Sequence, residues 1–226
     1  GINMNPKNKS ELESWIASRE WYQSMTLSSG LTIHGKVPTF ERERFLKGED
    51  FKGKTVLDIG CNSGQFCLYA KRQGAHTVKG IDLDPGRIEE ANVLSSAEGQ
   101  MIEYRVLSLF DLPKEEYDIV FCFAVVTEIP DLFGALSVLK QLTRKTLYLE
   151  LDLAKPLFYV SLSRSWRRPS LKIGRRKAVT EVRSSHGTLV LSPTLDVLKE
   201  FFGSEYEVEF LGKSVRYDMV RIRRRS

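Results

Sequence analysis

The chain has 226 residues, 42% of them hydrophobic, which suits the core of one α/β domain with modest additions. No apolar run approaches the roughly 18 residues of a membrane helix, and the first residues lack the hydrophobic region of a signal peptide. We therefore expect a cytoplasmic protein with no membrane partner. The three cysteines form no Cys-x-x-Cys pair and the three histidines are scattered, so we predict neither a disulfide framework nor a metal site.

The net charge of +5 is unevenly distributed. Residues 151–226 contain 16 Lys and Arg against 8 Asp and Glu, and the rest of the chain has an excess of acids. The basic C-terminal third therefore either faces an anionic substrate or is a solvated surface.

The N-terminal 50 residues predict a helical cap. Ser10 and Glu13 form a capping box for a helix over 10–24, and the glycine-containing segment 28–35 predicts a turn or short hairpin. Tyr22 either lines an acceptor site or only helps to seal the sheet edge.

A short helix over residues 41–45 is expected next, with Thr39 as its cap. Its two arginines, Arg42 and Arg44, are interpreted as solvated partners of neighbouring acids, although a cofactor carboxylate would suit either one.

Residues 55–66 predict a buried strand that runs through a glycine turn into a helix. Gly60 allows a sharp exit from the strand, and Gly64 lets a ligand or a strand approach the first turn of the helix. Asn62 stands between them and tolerates a positive φ. We expect Ser63 to cap a helix that continues to about Arg72.

A second strand over residues 77–85 ends in Asp82, which is 22 residues after Gly60. A carboxylate at this position of the neighbouring strand accepts hydrogen bonds from ribose hydroxyls in dinucleotide-binding folds. Pro85 then begins a helix, and residues 101–107 form a third strand that leads to Asp111. The turn lacks the Gly-Lys-Ser/Thr of a P-loop and the Gly-x-Gly-x-x-Gly spacing of an NAD site.

These motifs resemble those of class I S-adenosylmethionine-dependent methyltransferases. The first motif is matched by Asp58, Gly60, Asn62 and Gly64, the second by 80–82, and the third, an acid after the third strand, by Asp111. The resemblance implies a three-layer, Rossmann-like α/β/α fold with a mostly parallel seven-stranded sheet whose last strand is antiparallel.

The same resemblance implies S-adenosylmethionine as cofactor and S-adenosylhomocysteine as product. Asp82 is then expected to bind the ribose, the 60–64 turn the methionine end, and Asp111 the adenine amino group unless it only caps a turn. The other expected contacts, including those to an adenine face, are Cys61, Leu83, Phe110, Leu112 and Phe123.

A fourth strand over residues 117–123 leads to the loop 124–131, which should overlook the transferred methyl group. Many relatives carry a Leu-x-His-Leu pattern there, but this chain has Glu128 in the histidine position. Glu128 either accepts a proton from the acceptor or caps the next helix. A strand over 145–151 completes the cofactor-binding core, 51–151.

Residues 152–191 form a predicted basic insertion, in which the segment 163–177 is interpreted as a loop. Its arginines and Trp166 would suit RNA, or the loop is simply solvated. Residues 192–226 should close a single domain with a helix from Pro193 to Phe202, capped by Ser192, and strands over 205–211 and 215–222.

The predicted function is methyl transfer to an undetermined acceptor, with a small molecule favoured. The string 21–25 with Leu27 is also similar to tRNA wobble-uridine methyl- and carboxymethyltransferases, and to sugar and other small-molecule O-methyltransferases. tRNA or another RNA is therefore the alternative acceptor. A cofactor-binding protein without transferase activity is the third possibility, because the histidine is missing at Glu128.

Overall fold

The N-terminal segment packs on the outside of two helices of the main domain. The computed structural model describes residues 8–154, 157–163, 170–176, 179–183 and 189–225, and side chains within 8–154 and 190–225. The segment contains helix α1 (Lys9–Ala17), a hairpin of β1 (Met25–Thr26) and β2 (Thr32–Ile33), and a 3₁₀ segment (Thr39–Phe45). The rings of Trp15 and Trp21 meet edge to face at 5.5 Å, and this cluster packs on Leu68 and Leu94.

Seven strands form the central sheet, in the order β12-β13-β7-β6-β3-β4-β5. The first five in the chain are parallel, whereas β13 runs antiparallel to both β7 and β12. Both the mostly parallel sheet and the antiparallel last strand are thus confirmed. The strands are β3 (Thr55–Ile59), β4 (Thr77–Asp82), β5 (Glu103–Val106), β6 (Tyr117–Phe123), β7 (Thr143–Leu151), β12 (Tyr206–Lys213) and β13 (Asp218–Arg224).

Helices cover both faces of this sheet. On one face, Leu57 and Val120 pack with α4 (Leu132–Leu142) and α5 (Leu195–Phe202). On the other, Val56 and Phe121 pack with α2 (Gln65–Arg72) and α3 (Pro85–Ala97). Because alternate residues of β3 and β6 face opposite cores, these strands are buried on both sides, as a parallel sheet requires.

Two antiparallel pairs lie between β7 and α5 in the chain. They are β8 (Leu157–Ser163) with β9 (Ser170–Arg176), and β10 (Val179–Arg183) with β11 (Leu189–Pro193). The interpretation of 163–177 as a loop is therefore wrong for 170–176, where the backbone is paired. Trp166 and the two arginines that follow it lie outside the described residues.

Several predicted helix caps are wrong. Helix α1 begins one residue before Ser10 and is capped by Asn8, whose side chain accepts the N–H of Glu11. Helix α2 begins after Gly64 rather than from a Ser63 cap. Thr194, not Ser192, caps α5. Thr39 also caps nothing, because its hydroxyl donates to Gln65. Asn8 and Thr194 thus accept N–H groups at the starts of α1 and α5, Oε1 of Gln23 accepts the first N–H of α2, and the 3₁₀ segment has no side-chain cap.

Within the described residues, no helix is both long and apolar enough to cross a membrane.

Candidate functional site

A cavity of about 810 Å³ opens at the carboxyl ends of β3, β4 and β6. This is the edge where ligands bind in open parallel sheets, because the loops that follow β3 and β6 run to helices on opposite faces and leave a crevice between them. The lining comes from the N-terminal segment, the strand ends and the β12–β13 loop. It comprises Tyr22, Gln23, Arg42, Asp58, Ile59, Gly60, Asn62, Phe66, Ile81, Asp82, Leu83, Leu107, Ser108, Leu109, Phe110, Phe123, Ala124, Val125, Glu128, Ile129, Pro130, Arg216 and Tyr217.

The turn after β3 depends on glycine at position 60. Gly60 has φ +71°, and a Cβ there would lie 2.3 Å from Cγ2 of Val125. The N–H groups of Gly60 and Cys61 both donate to the carbonyl of Ile81, at 2.8 and 2.9 Å. Only glycine fits this close approach of the β3 and β6 loops, which forms the floor of the cavity.

Asp82 holds the same turn from the end of β4. Its Oδ2 accepts the N–H of Asn62 at 2.9 Å, and its Oδ1 accepts the N–H of Asp84 at 3.0 Å. Asn62 has φ +51°, as predicted from its residue type. Both carboxylate oxygens have further lone pairs, so Asp82 can still accept hydrogen bonds from a ligand in the cavity.

Asp58 is a buried acid at the cavity wall, with 2% of its surface exposed. Burial raises the pKa of Asp58 to about 7, and the nearby charge of Asp82 adds to this rise. Hydrogen bonding from the Cys67 thiol, 3.5 Å from Oδ2, and the positive charge of Arg42 act in the opposite direction. Asp58 can therefore change its protonation state near neutral pH.

Arg42 forms a buried ion pair with Glu150 of β7, and the two exposed fractions are 3% and 0%. Nη2 and Oε2 are 2.6 Å apart, but the pair is not aligned as a hydrogen bond. Arg42 Nε and Glu150 Oε1 are also buried without a hydrogen-bond partner among the described residues. The interpretation of Arg42 as a solvated arginine is therefore wrong: it is a buried cation at the cavity wall.

Gln23 connects the N-terminal cap to the glycine turn. Its Nε2 donates to the carbonyl of Cys61 at 3.3 Å, and its Oε1 accepts the N–H of Gln65, also at 3.3 Å. Oε1 of Gln65 in turn accepts a hydrogen bond from the hydroxyl of Thr39. The cap is thus bound by buried hydrogen bonds to the first turn of α2.

Glu128 lies in a 3₁₀ turn (Val126–Glu128) on the β6 side of the cavity. Just before it, Ala124 has φ +60°, an uncommon and strained value for alanine. Helix α4 has its own cap, because the side chain of Asp131 accepts the N–H of Gly134 at 2.9 Å. Asp131 therefore caps α4, and Glu128 lines the cavity.

Tyr22 and Arg216 meet at the cavity wall. The guanidinium of Arg216 lies 5.6 Å from the centre of the Tyr22 ring, within the range of a cation–π contact. Tyr22 is partly exposed and Arg216 is exposed.

Most of the predicted site residues line one cavity. They are Tyr22, Asp58, Gly60, Asn62, Asp82, Leu83, Phe110, Phe123 and Glu128. Whether each binds a ligand stays a prediction.

The other four predicted residues lie outside the lining. Cys61 is fully buried, and a Cβ on Gly80 would lie 2.9 Å from its sulfur. A Cβ on Gly64 would meet the Tyr104 hydroxyl at 2.5 Å, so this glycine makes room for a side chain of β5. Asp111 is exposed in a 3₁₀ turn (Leu109–Asp111), and Leu112 packs against a core cluster.

Sequence reasoning missed Gln23, Arg216 and Tyr217. A signal for the last two was present in the topology. Since β13 is antiparallel, its first residue, Asp218, pairs with Leu151 at the carboxyl end of β7. The loop before β13 must therefore lie at the ligand-binding edge. No comparable signal exists for Gln23, because its role is evident only from its buried hydrogen bonds to Cys61 and Gln65.

Among the described residues, no group of three His, Cys, Asp or Glu side chains is arranged to hold a metal ion.

Comparison with known proteins agrees with this geometry. A family model described as a methyltransferase domain matches residues 39–185. The chain is 32% identical over 123 residues to a ubiquinone biosynthesis O-methyltransferase of Neisseria meningitidis serogroup C, an alignment that covers 52% of this chain and 50% of the relative. It is also 48% identical over 64 residues to a probable RNA methyltransferase of Arabidopsis thaliana, covering 28% and 20%. The chain thus spans half or less of the length of these relatives.

Among solved structures, the N-terminal domain of EvdMO1, crystallised with S-adenosylhomocysteine and D-fucose, superposes with a TM-score of 0.67. The sequence identity is 17%, and the alignment covers 100% of both chains. At this identity the similarity concerns the fold.

Proposed function

The chain belongs to the methyltransferase domain family, and on this premise we propose that it transfers a methyl group from S-adenosylmethionine to a small-molecule acceptor. The observation that carries the proposal is the single cavity that combines Asp82, Asp58 and the glycine turn with Glu128. Its volume of about 810 Å³ is within the usual range for small-molecule sites.

The residues present fit the chemistry of S-adenosylmethionine. Arg42 is a buried cation whose Nε has no hydrogen-bond partner among the described residues, which suits the methionine carboxylate. Asp58 suits the amino group, and Asp82 suits the ribose hydroxyls. Leu83 and Phe110, exposed by 72% and 48%, offer apolar surface for the adenine. When bound, the cofactor supplies an activated methyl group on a positively charged sulfur.

The protein's own residues then have three tasks: to orient the acceptor, to exclude water, and to receive a proton. The residues around the cavity would hold the acceptor atom in line with the methyl group of the bound cofactor. If the acceptor is a hydroxyl or a protonated amine, its proton passes to the carboxylate of Glu128. Tyr22 covers the acceptor side of the cavity.

The test combines binding with turnover. Calorimetry should detect S-adenosylhomocysteine binding, whereas NAD and ATP should not raise the melting temperature. With a reactive acceptor, Glu128→Gln should lower kcat while leaving S-adenosylhomocysteine affinity unchanged, and Tyr22→Ala should lower transfer without affecting RNA association. Cofactor binding without turnover on any acceptor of a broad panel would favour the non-catalytic alternative.

An RNA acceptor is the second candidate, since a relative with a matching core is named as a probable RNA methyltransferase. The described arginines near the C-terminus weigh against it: Arg221, Arg223 and Arg224 each lie within 4.0 Å of a glutamate. The test is binding to a mixed tRNA pool as salt rises. Changing Arg167, Arg168, Arg175 and Arg176 together to Ser should flatten a steep salt dependence if RNA is the acceptor. Equal, weak binding by parent and variant would rule RNA out.

A further inference from the structure

Arg216 differs in its electrostatic partners from Arg42, the other arginine that lines the cavity among the described residues. Arg42 pairs with Glu150 and is buried. Arg216 is exposed, lines the cavity, and has no carboxylate within 4.0 Å among the described residues. Its contact is instead with the ring of Tyr22, at 5.6 Å. A guanidinium in a cation–π contact uses none of its N–H donors in that contact, so they can bind a carboxylate or a phosphate.

The position of Arg216 follows from the fold. The loop between β12 and β13 ends at Asp218, whose Oδ2 accepts the N–H of Leu153 at 3.1 Å and whose Oδ1 pairs with Lys213 at 2.7 Å. These contacts at both ends of the loop hold it against the end of β7. Arg216 and Tyr217 therefore project from a short, tethered segment and not from a free tail.

The groups that line the cavity divide into those suited to the cofactor and those available to the acceptor. The groups suited to the cofactor are on the N-terminal segment and on β3 and β4, namely Arg42, Asp58 and Asp82. Of the other charged groups that line the cavity, Glu128 lies in the loop after β6, and Arg216 lies in the loop between β12 and β13, next to Tyr22. An acceptor that lies between them meets a carboxylate and a cation.

We infer that the acceptor is a small molecule that carries an anionic group, a carboxylate or a phosphate, which Arg216 binds while its nucleophilic atom faces Glu128. This inference rests on the proposed methyl transfer and names the substrate class of that site. Arg216 selects the acceptor by charge, and Tyr22 holds the guanidinium in place.

The experiment measures binding to the protein saturated with S-adenosylhomocysteine. The probes are 3,4-dihydroxybenzoate and phenyl phosphate, each compared with a neutral counterpart, methyl 3,4-dihydroxybenzoate and benzyl alcohol. We expect at least one anion to bind roughly 10- to 100-fold more tightly than its neutral counterpart, as expected for a charged hydrogen bond. The carboxylate and phosphate arms show which group is preferred.

Arg216→Gln should abolish this preference, and Arg216→Lys should retain part of it. Arg225→Gln is the matched control, because Arg225 is exposed but lies outside this cavity. Both Arg216 variants should bind S-adenosylhomocysteine within about twofold of the parent.

The inference is wrong if the parent prefers no anion, or if the preference survives in Arg216→Gln. It is also wrong if Arg216→Gln loses affinity for S-adenosylhomocysteine, because Arg216 would then bind the cofactor. A parent protein that fails to bind S-adenosylhomocysteine at all would instead refute the proposed function. Weaker tRNA binding in Arg216→Gln without any preference for the small anions would assign the arginine to RNA and also reject the inference.

Discussion

Nη2 of Arg42 lies 2.6 Å from Oε2 of Glu150, and both side chains are almost fully buried between the N-terminal segment and the end of β7. A buried ion pair is sensitive to the loss of one partner, because the other charge is then left uncompensated. The charge of Arg42 also lowers the pKa of Asp58, which burial raises. Arg42 therefore contributes both to the attachment of the N-terminal cap and to the electrostatics of the cavity.

Arg42→Met should destabilise the protein by about 3 kcal/mol or more, since Glu150 would remain buried and charged. Adding Glu150→Leu should recover much of that loss. Urea unfolding of the single and double variants measures both effects. Arg223→Met is the control, because Arg223 pairs with Glu49 but its side chain is 41% exposed, so a loss of at most about 1 kcal/mol is expected. A loss for Arg42→Met as small as that of the control would contradict this prediction.

Asp82→Ala should weaken S-adenosylhomocysteine binding by about 1.5 to 3 kcal/mol, the usual cost of losing hydrogen bonds to a charged acceptor. Asp111→Ala is the matched control, because Asp111 is an exposed acid in the 3₁₀ turn after β5 and does not line the cavity. Calorimetry should find its affinity unchanged. Equal losses in the two variants would mean that ribose binding is not specific to Asp82.

The pKa of Asp58, raised to about 7, makes stability depend on pH. Between about pH 4 and 7 the folded protein keeps a proton on Asp58 that the unfolded chain releases, so the free energy of unfolding falls as pH rises through this window. The slope contributed by this one group is about 1.4 kcal/mol per pH unit at most. Asp58→Asn removes it, so the variant should gain stability relative to the parent from pH 4.5 to 7.

Urea unfolding at these two pH values checks the prediction. A constant difference between parent and Asp58→Asn would show that the pKa of Asp58 is the same in the folded and unfolded chains.

Gln23→Ala should loosen the N-terminal cap, because it removes one hydrogen bond to Cys61 and one from Gln65. At about 1 kcal/mol for each hydrogen bond, we expect a loss of roughly 2 kcal/mol in stability, together with weaker S-adenosylhomocysteine binding. Gln73→Ala, an exposed change at the end of α2, should affect neither. Unchanged cofactor affinity in Gln23→Ala would show that the cap does not position the glycine turn.

The strands of the parallel core could be predicted, some of them with their limits, because their signals are local. The run 117–123 appears as β6 with the predicted limits, and Asp82 ends β4 as its spacing from Gly60 indicates. Asn62 adopts the positive φ that its residue type allows. Such features depend on β propensity, on backbone sterics and on spacing along one strand–turn–helix unit, all of which a short stretch of sequence contains.

Helix ends were predicted less well, because several nearby side chains compete for the same N–H groups. Ser63 is a good cap by residue type, but in the fold its hydroxyl donates to Glu90 at 2.6 Å. Thr39 likewise turns to Gln65, 26 positions away in the chain. Which polar partner a hydroxyl takes is decided by packing between segments and not by the local sequence.

By itself, the sequence determined the class of fold, the glycine turn and the acid that follows it, since each requires only particular residue types at a fixed spacing. The tertiary structure alone decided that Arg42 is buried against Glu150, that Gln23 holds the turn, and that Arg216 reaches the same cavity as Glu128. Each of these relationships joins residues that are 38 or more positions apart in the chain. The physical reason is that charge burial and cavity shape depend on how strands are ordered and directed in the sheet, which no local pattern specifies.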